Sequence, residues 1–114
     1  MEIKGKEYYV IYNPDTARVT FQGALRSCDA SEYVPIVQLL DDVVASTPRL
    51  TVLDLRELYF VNSSGINVIF RFILNICEQK SNQLVARGAR QVPWQNKLLE
   101  NLQRLMPELQ LVMD

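Results

Sequence analysis

Leu50-Thr51-Val52-Leu53-Asp54-Leu55, followed shortly by Phe60-Val61-Asn62-Ser63-Ser64-Gly65-Ile66, is the stretch that decides how this chain folds. The first run is short and apolar, bounded by Arg49 and Arg56, and reads as a strand of the buried type. The second leads into a strongly apolar helical run, Asn67 to Gln79. A strand, a turn of small polar residues and a helix place the hydroxyls of Ser63 and Ser64 at a helix N-terminus. Unpaired backbone N–H groups and the positive end of the helix dipole meet there. Such a position suits a phosphate. It equally suits a plain cap, since Ser and Asn are preferred cap residues.

Working outward, Glu7 to Tyr12 is β-branched and aromatic and reads as a strand. Asn13-Pro14-Asp15 signals a turn, and Ala17 to Leu25 then alternates Val19, Phe21 and Gly23 on one face, so the two runs form a hairpin. Asp29 or Ser31 can cap a helix running to about Ser46, with Tyr33, Val37, Leu40 and Val44 on its apolar stripe. Pro35 belongs in its first turn, and Pro48 ends the unit. Beyond the central helix, Asn82 or Gln83 to Arg87 is a short strand closed by Gly88. Pro93 opens a third helix with Trp94, Leu98, Leu102 and Leu105 as its apolar residues. Pro107 breaks it, and Leu109 to Met113 is a last strand. The order β-β-α-β-α-β-α-β defines an α/β protein: a mostly parallel, mixed sheet of about five strands covered by helices.

The 114 residues make one domain, 1–114, with one core. A net charge of −1 gives no support for nucleic acid or an anionic membrane as partner. No apolar run approaches the roughly 20 residues that span a bilayer, because Arg71, Asn75 and Glu78 interrupt the richest one. Met1 to Glu7 lacks the apolar region of a signal peptide. Cys28 and Cys77 have neither a CxxC nor a metal spacing and read as free thiols of a reducing cytosol. Histidine is absent, which rules out histidine-based triads and histidine-ligated metals. Asn62 cannot serve as a base for Ser63 or Ser64, and the surroundings lack the GxSxG elbow. No catalytic residue, metal or cofactor is expected.

On a helical wheel Asn67, Arg71, Asn75 and Glu78 form a narrow polar stripe. Ile66, Ile69, Ile73, Ile76 and Cys77 point the other way, toward a core. Val68 and Phe72 flank one side of the stripe, Phe70 and Leu74 the other. This apolar arc is wider than a helix on a sheet requires. Either neighbouring helices cover both flanks, or Phe70, Leu74 or Phe72 belongs to a protein-binding surface.

Val52-Leu53-Asp54-Leu55 with Phe60-Val61-Asn62-Ser63-Ser64-Gly65-Ile66 resembles the core signature of STAS domains, a family that includes bacterial anti-sigma factor antagonists and cytoplasmic domains of sulfate transporters. The element order matches as well, so the similarity covers nearly the whole chain. The resemblance implies a non-catalytic cytoplasmic switch that binds a protein partner, an anti-sigma factor that is also a serine kinase, with a cognate phosphatase. By position Ser63 is the phospho-acceptor, and Ser64 reads as a first-turn or cap residue more than as a second acceptor. Asn62, Ser63, Ser64, Gly65, Asn67, Phe70, Arg71 and Leu74 are the expected partner-binding residues.

Two departures from the family pattern stand out. Asn62 replaces the usual aspartate before the serine pair, keeping size and capping ability while losing a charge. The sequence ends at Asp114, after the last strand, where many members add a helix, so another element or a partner is expected over that face. Gly65 would permit close packing or close partner approach, and Asp54 reads as a structural carboxylate near the same helix N-terminus. Arg87, Arg90 and Lys97 read as solvated surface more than as a basic patch. Two other functions compete: a small anion or nucleotide sensor at the loop amides, and a constitutive scaffold that forms a weak homodimer through the exposed helix flank.

Overall fold

The computed structural model describes all residues except Cys28, Thr47, Pro48 and 80–82, and leaves out the side chain of Ala30. The expectations for Cys28, Pro48 and Asn82 therefore lie outside the described residues. Strands β1 (Glu2–Lys4), β2 (Tyr8–Asn13), β3 (Arg18–Leu25), β4 (Leu50–Val61), β5 (Gln83–Gly88) and β6 (Gln110–Met113) form one sheet, in that spatial order. The first two pairings are antiparallel and the last three parallel. Helices α1 (Val34–Ala45, preceded by a 3₁₀ turn at Ala30–Tyr33), α2 (Ser63–Glu78) and α3 (Pro93–Leu105) make the three crossovers. The sheet has six strands where the sequence pattern suggests about five, because β1 is too short and too charged to show alternation.

Each parallel crossover moves one strand in the same direction, and right-handed connections then place all three helices on one face. One core follows. Val10, Val19, Phe21, Leu53, Leu55, Leu84 and Ala86 of the sheet meet Ile36, Leu40, Ile69, Ile73, Leu99 and Leu102 of the helices. The opposite face carries Ile11, Arg18, Thr20, Val52, Asp54 and Arg87, and none of the described helices covers it.

β4 is twice as long as the apolar run that announces it. Thr20 and Gln22 pair with Asp54 and Glu57, and Gly23 and Ala24 with Leu58 and Phe60, so β4 carries two bulges. The bulges shift the inward residues to Leu53, Leu55, Leu58 and Val61, which breaks the alternation. A sequence reader therefore ends the strand at Leu55. The segment before Asn62 is strand, not loop. On β3, Gly23 has φ +91 and sits in register with the core residues Tyr8 and Leu58, on the face of Val19 and Phe21. A Cβ there would lie 2.1 Å from the Glu7 carbonyl oxygen, so only glycine fits.

The helix faces also differ in detail from the periodic reading. α1 buries Ile36, Leu39, Leu40 and Val43, with Tyr33 just before it, while Val37 and Val44 are only half-buried. Pro35 sits at the second position, where its missing N–H costs nothing. α3 buries Gln95, Leu99 and Leu102, and Leu105 is exposed. Gln95 is fully buried and fully bonded. Its Oε1 accepts from the Ala89 N–H at 2.8 Å, and its Nε2 donates to the carbonyls of Leu55 at 2.5 Å and Leu58 at 2.9 Å. Trp94, half-buried, donates its indole N–H to Leu58 at 3.0 Å. β5 pairs with β4 only over Leu50 to Asp54, and these two side chains bond the Leu55 and Leu58 carbonyls of the overhang.

Candidate functional site

The end of β4 delivers Asn62 in extended conformation, φ −85 and ψ 179, immediately before α2. Its Oδ1 accepts from the Gly65 N–H at 2.9 Å, which makes Asn62 the helix cap. Ser63 is the first helical residue, so the cap reading falls to Asn62. The same side chain reaches further. Its Nδ2 donates to the Ser27 carbonyl at 2.8 Å, and the Tyr33 hydroxyl donates to its Oδ1 at 3.3 Å. The Asn62 N–H donates to Leu25 at 2.9 Å. One residue thus ties the end of β3, the start of α1 and the start of α2 together.

With the cap supplied by Asn62, the Ser63 side chain is released to solvent, and it is exposed. Ser64 is half-buried and faces α1. Both residues lie in the first turn, where helix geometry provides no carbonyl four residues back for their N–H groups. Gly65 is buried. A Cβ on it would stand 2.6 Å from Val61 Cγ2 and 3.1 Å from Leu25 Cβ, so glycine lets α2 start hard against the sheet. Of the two roles open to it, packing is the one observed, and a partner cannot reach it.

Along α2 the exposed residues are Ser63, Asn67, Arg71, Leu74 and Glu78, at spacings of four, four, three and four. Four of the expected partner-contact residues therefore share one solvent-facing line. Leu74 takes the place on that stripe that the wheel assigned to Asn75, which is half-buried. Leu74 is 47% exposed, a large apolar side chain in a polar row. Phe70 is half-buried against the core, and Phe72 lies within the core itself at 2% exposure, so Phe72 is no surface candidate. Ile66 and Cys77 pack on the core edge without being fully buried. Burial pushes the Cys77 thiol above its ordinary value, and the charge of Glu108 adds to the effect. Arg71 pairs with Asp41 at 3.8 Å, with both side chains in solvent, where such a pair contributes little.

Between α1 and α2 runs a groove of about 410 Å³, lined by Tyr33, Val34, Val37 and Gln38 from the side of α1 and by Ser64, Asn67, Val68 and Arg71 from α2. Sequence periodicity could not locate it, because it depends on how far apart the two helices sit.

Asp54 is not beside the α2 N-terminus. It lies in mid-strand on the open face of the sheet, 5% exposed, where Arg56 grips it through Nε at 3.0 Å and Nη2 at 2.8 Å. The Arg56 N–H adds a bond at 3.1 Å, and Arg18 stands at 3.6 Å. Burial alone would raise the Asp54 carboxyl. The hydrogen bonds from Arg56 and the charges of Arg56 and Arg18 outweigh it and hold the group below the ordinary carboxylate value. The Asp54 hydrogen bond, in turn, raises the Arg56 guanidinium. Arg56 and Arg87 also bind Asp114, at 3.2 and 2.9 Å. Arg18, Asp54, Arg56 and Asp114 line a cleft of about 590 Å³, larger than the groove but remote from the serine pair. Within it Asp54 is paired with Arg18 and Arg56, and Arg56 with Asp114, which fits a structural clasp. Arg90 and Lys97 are exposed on the surface, as expected.

A mixed six-stranded sheet with three helices on one face and a capped Asn-Ser-Ser-Gly turn at the start of the central helix defines a STAS-like α/β fold. Solved structures agree across the whole chain. Apo-SiaC from Pseudomonas aeruginosa superposes with a TM-score of 0.79 at 17% identity, covering 100% of this chain and 97% of its own. A chain of the Pseudomonas aeruginosa complex between the diguanylate cyclase SiaD and its activator SiaC gives 0.78 at 16% identity, covering 100% and 99%. An anti-sigma factor antagonist from Mycobacterium paratuberculosis gives 0.67 at 18% identity, covering 95% and 90%. No protein-family model matches the sequence, and no curated protein matches it. None of the helices among the described residues is long and apolar enough to cross a membrane.

Proposed function

We propose that this chain is a non-catalytic signalling switch of the bacterial cytosol that binds a protein regulator through the surface around the start of α2, and that phosphorylation of Ser63 controls the contact. The regulator we infer is a kinase-like protein of the anti-sigma type, with a cognate phosphatase to reset the switch. One observation carries the reading: Asn62 caps α2, which leaves the Ser63 hydroxyl exposed at the head of a solvent-facing line through Asn67, Arg71 and Leu74. Two solved proteins of this fold are described by the proteins they act on, SiaC as the activator of SiaD and the other as an antagonist of an anti-sigma factor, which supports a protein partner.

The physics of the switch is local. A phosphate adds about −1.5 to −2 charges where the neighbouring side chains, Asn62, Ser64 and Asn67, carry none. The helix N-terminus stabilises that charge, so the domain itself stays folded. The test compares Ser63→Asp and Ser63→Ala proteins for folding and for capture of one purified kinase-like partner from the native host. Ser63→Asp should fold and lose binding, while Ser63→Ala should bind constitutively and resist phosphate incorporation. Equal binding by both variants would sink the proposal.

A further inference from the structure

The groove between α1 and α2 has an apolar floor and two ends that favour negative charge. Val37 and Val68 are half-buried along it and Val34 is 48% exposed at its lip. At one end lies the first turn of α2, with Ser64 in the groove and unpaired N–H groups beside it. At the other lies Arg71, the charged residue of the lining, 62% exposed and, among the described residues, held by the 3.8 Å pair with Asp41. Ser64 and Arg71 are seven residues apart on one helix, so the two ends are separated by about 10.5 Å at 1.5 Å per residue. A helix laid alongside α2 presents residues i and i+7 at that same separation, with i+3 and i+4 between them on the same face.

We propose that this groove receives an amphipathic helix of a partner protein, with carboxylates at i and i+7 over the two charged-attracting ends and apolar side chains at i+3 and i+4 on Val34, Val37 and Val68. The proposal rests on the reading of this end of the molecule as a protein-binding surface, and it names the chemistry of the partner. It also gives the phosphate a defined target. Ser64 lies inside the groove while Ser63 stands exposed beside it, so a phosphate on Ser63 repels the partner carboxylate at that end.

The probe is a displayed library of helical peptides with the four contact positions randomised, panned against the intact chain. Enriched peptides should carry Asp or Glu at i and i+7 and Leu, Ile or Val at i+3 and i+4. Their affinity should fall at least tenfold with Val34→Asp at the exposed lip or Val37→Asp on the half-buried floor, and the circular dichroism of both variants should match the wild type. Arg71→Glu should weaken them comparably, and a Lys at i+7 should restore binding to that variant. Failure to enrich the pattern overturns the proposal, as does binding indifferent to all three variants. Light scattering of the wild type supplies another route to refutation, since a dimer dissolved by Val37→Asp would make a second copy the occupant. Ser63→Asp separates this idea from the one beneath it. Groove binding unaffected by Ser63→Asp would leave the groove assignment standing and refute control at Ser63. Loss of partner binding in Ser63→Asp with no effect of the groove variants would do the reverse.

Discussion

The side-chain amide of Asn62 donates a 2.8 Å hydrogen bond to the carbonyl oxygen of Ser27. An aspartate cannot make that bond. The carboxylate that the family pattern favours at this position would meet a carbonyl with no proton between them. In this chain the loop after β3 is arranged around a donor, so the asparagine is a structural choice as well as a lost charge.

Asn62→Asp should therefore destabilise, although aspartate caps helices as well as asparagine does. The lost donor and the facing oxygens cost about 1–2 kcal/mol, offset by about 0.5 kcal/mol from the added charge at the helix start. Asn62→Ala should lose the cap too and fall by about 2 kcal/mol. Thermal unfolding should rank wild type above Asn62→Asp, and Asn62→Asp above Asn62→Ala. An Asn62→Asp protein as stable as the wild type would contradict this account of the loop.

Gly65→Ala tests the approach of α2 to the sheet. Helix propensity favours alanine by about 1 kcal/mol, but the new Cβ meets Val61 at 2.6 Å and Leu25 at 3.1 Å. Overpacking of that kind costs about 1–3 kcal/mol, so the net change should be destabilising. Val61→Ala removes the nearest clash, and the double variant should be more stable than the sum of the two single losses. Strict additivity in urea denaturation would show that the contact does not limit the packing.

Gln95→Leu removes the hydrogen-bond partners of the Ala89 N–H and the Leu55 carbonyl without opening a cavity. Leaving those groups unpaired in the core should cost about 3 kcal/mol, or on the order of 10 °C in melting temperature for a domain of this size. Gln95→Glu keeps the acceptor and loses the donor at neutral pH. Burial against two carbonyls raises such a carboxyl, so the deficit should shrink as pH falls from neutral and be smallest below about pH 4, where the proton is fully restored as a donor. A Gln95→Glu protein with no such pH dependence would show that the donor role is unimportant.

Asp54 links the open face to acid stability. Its carboxyl is held below the ordinary value, so the folded state binds its proton less readily than the unfolded chain does. The stabilisation is complete above about pH 4 and is lost as pH falls further toward the folded-state value. Arg18 and Arg56 are each about a third exposed, so screening limits the contribution to about 1–2 kcal/mol. Asp54→Asn should lower stability at pH 7 and flatten the decline between pH 4 and pH 2. Urea midpoints that change in parallel for both proteins across that range would refute the assignment.

Much of the architecture is written locally. The alternation of apolar strand runs with 3.6-residue helical periods, punctuated by Pro35, Pro93 and Pro107, is enough to place the helices and the order of the major strands, because each signal acts over a few residues. The Asn62-Ser63-Ser64-Gly65 turn announces itself for the same reason: capping chemistry is local. Other features depend on contacts between distant segments. The bulges in β4 answer to the register of β3, so residues 56–60 look like a loop until the pairing is known. Phe72 enters the core and Leu74 takes the exposed place expected of Asn75, because the packing of α2 on the sheet, not its wheel, decides which side faces the core.

The sequence by itself determined an α/β chain with a strand, a capped polar turn and a helix at its centre, because propensity, capping and hydrophobic period are properties of neighbours along the chain. Only the tertiary structure decided that Asn62 rather than Ser63 does the capping, since that choice depends on Ser27 and Tyr33 arriving from elsewhere. It also decided that Asp54 faces away from the serine pair, because right-handed crossovers put every helix on the opposite side of the sheet. The groove beside Ser64 exists for a related reason: two helices that share one face of a twisted sheet leave a furrow between them, and no single segment encodes it.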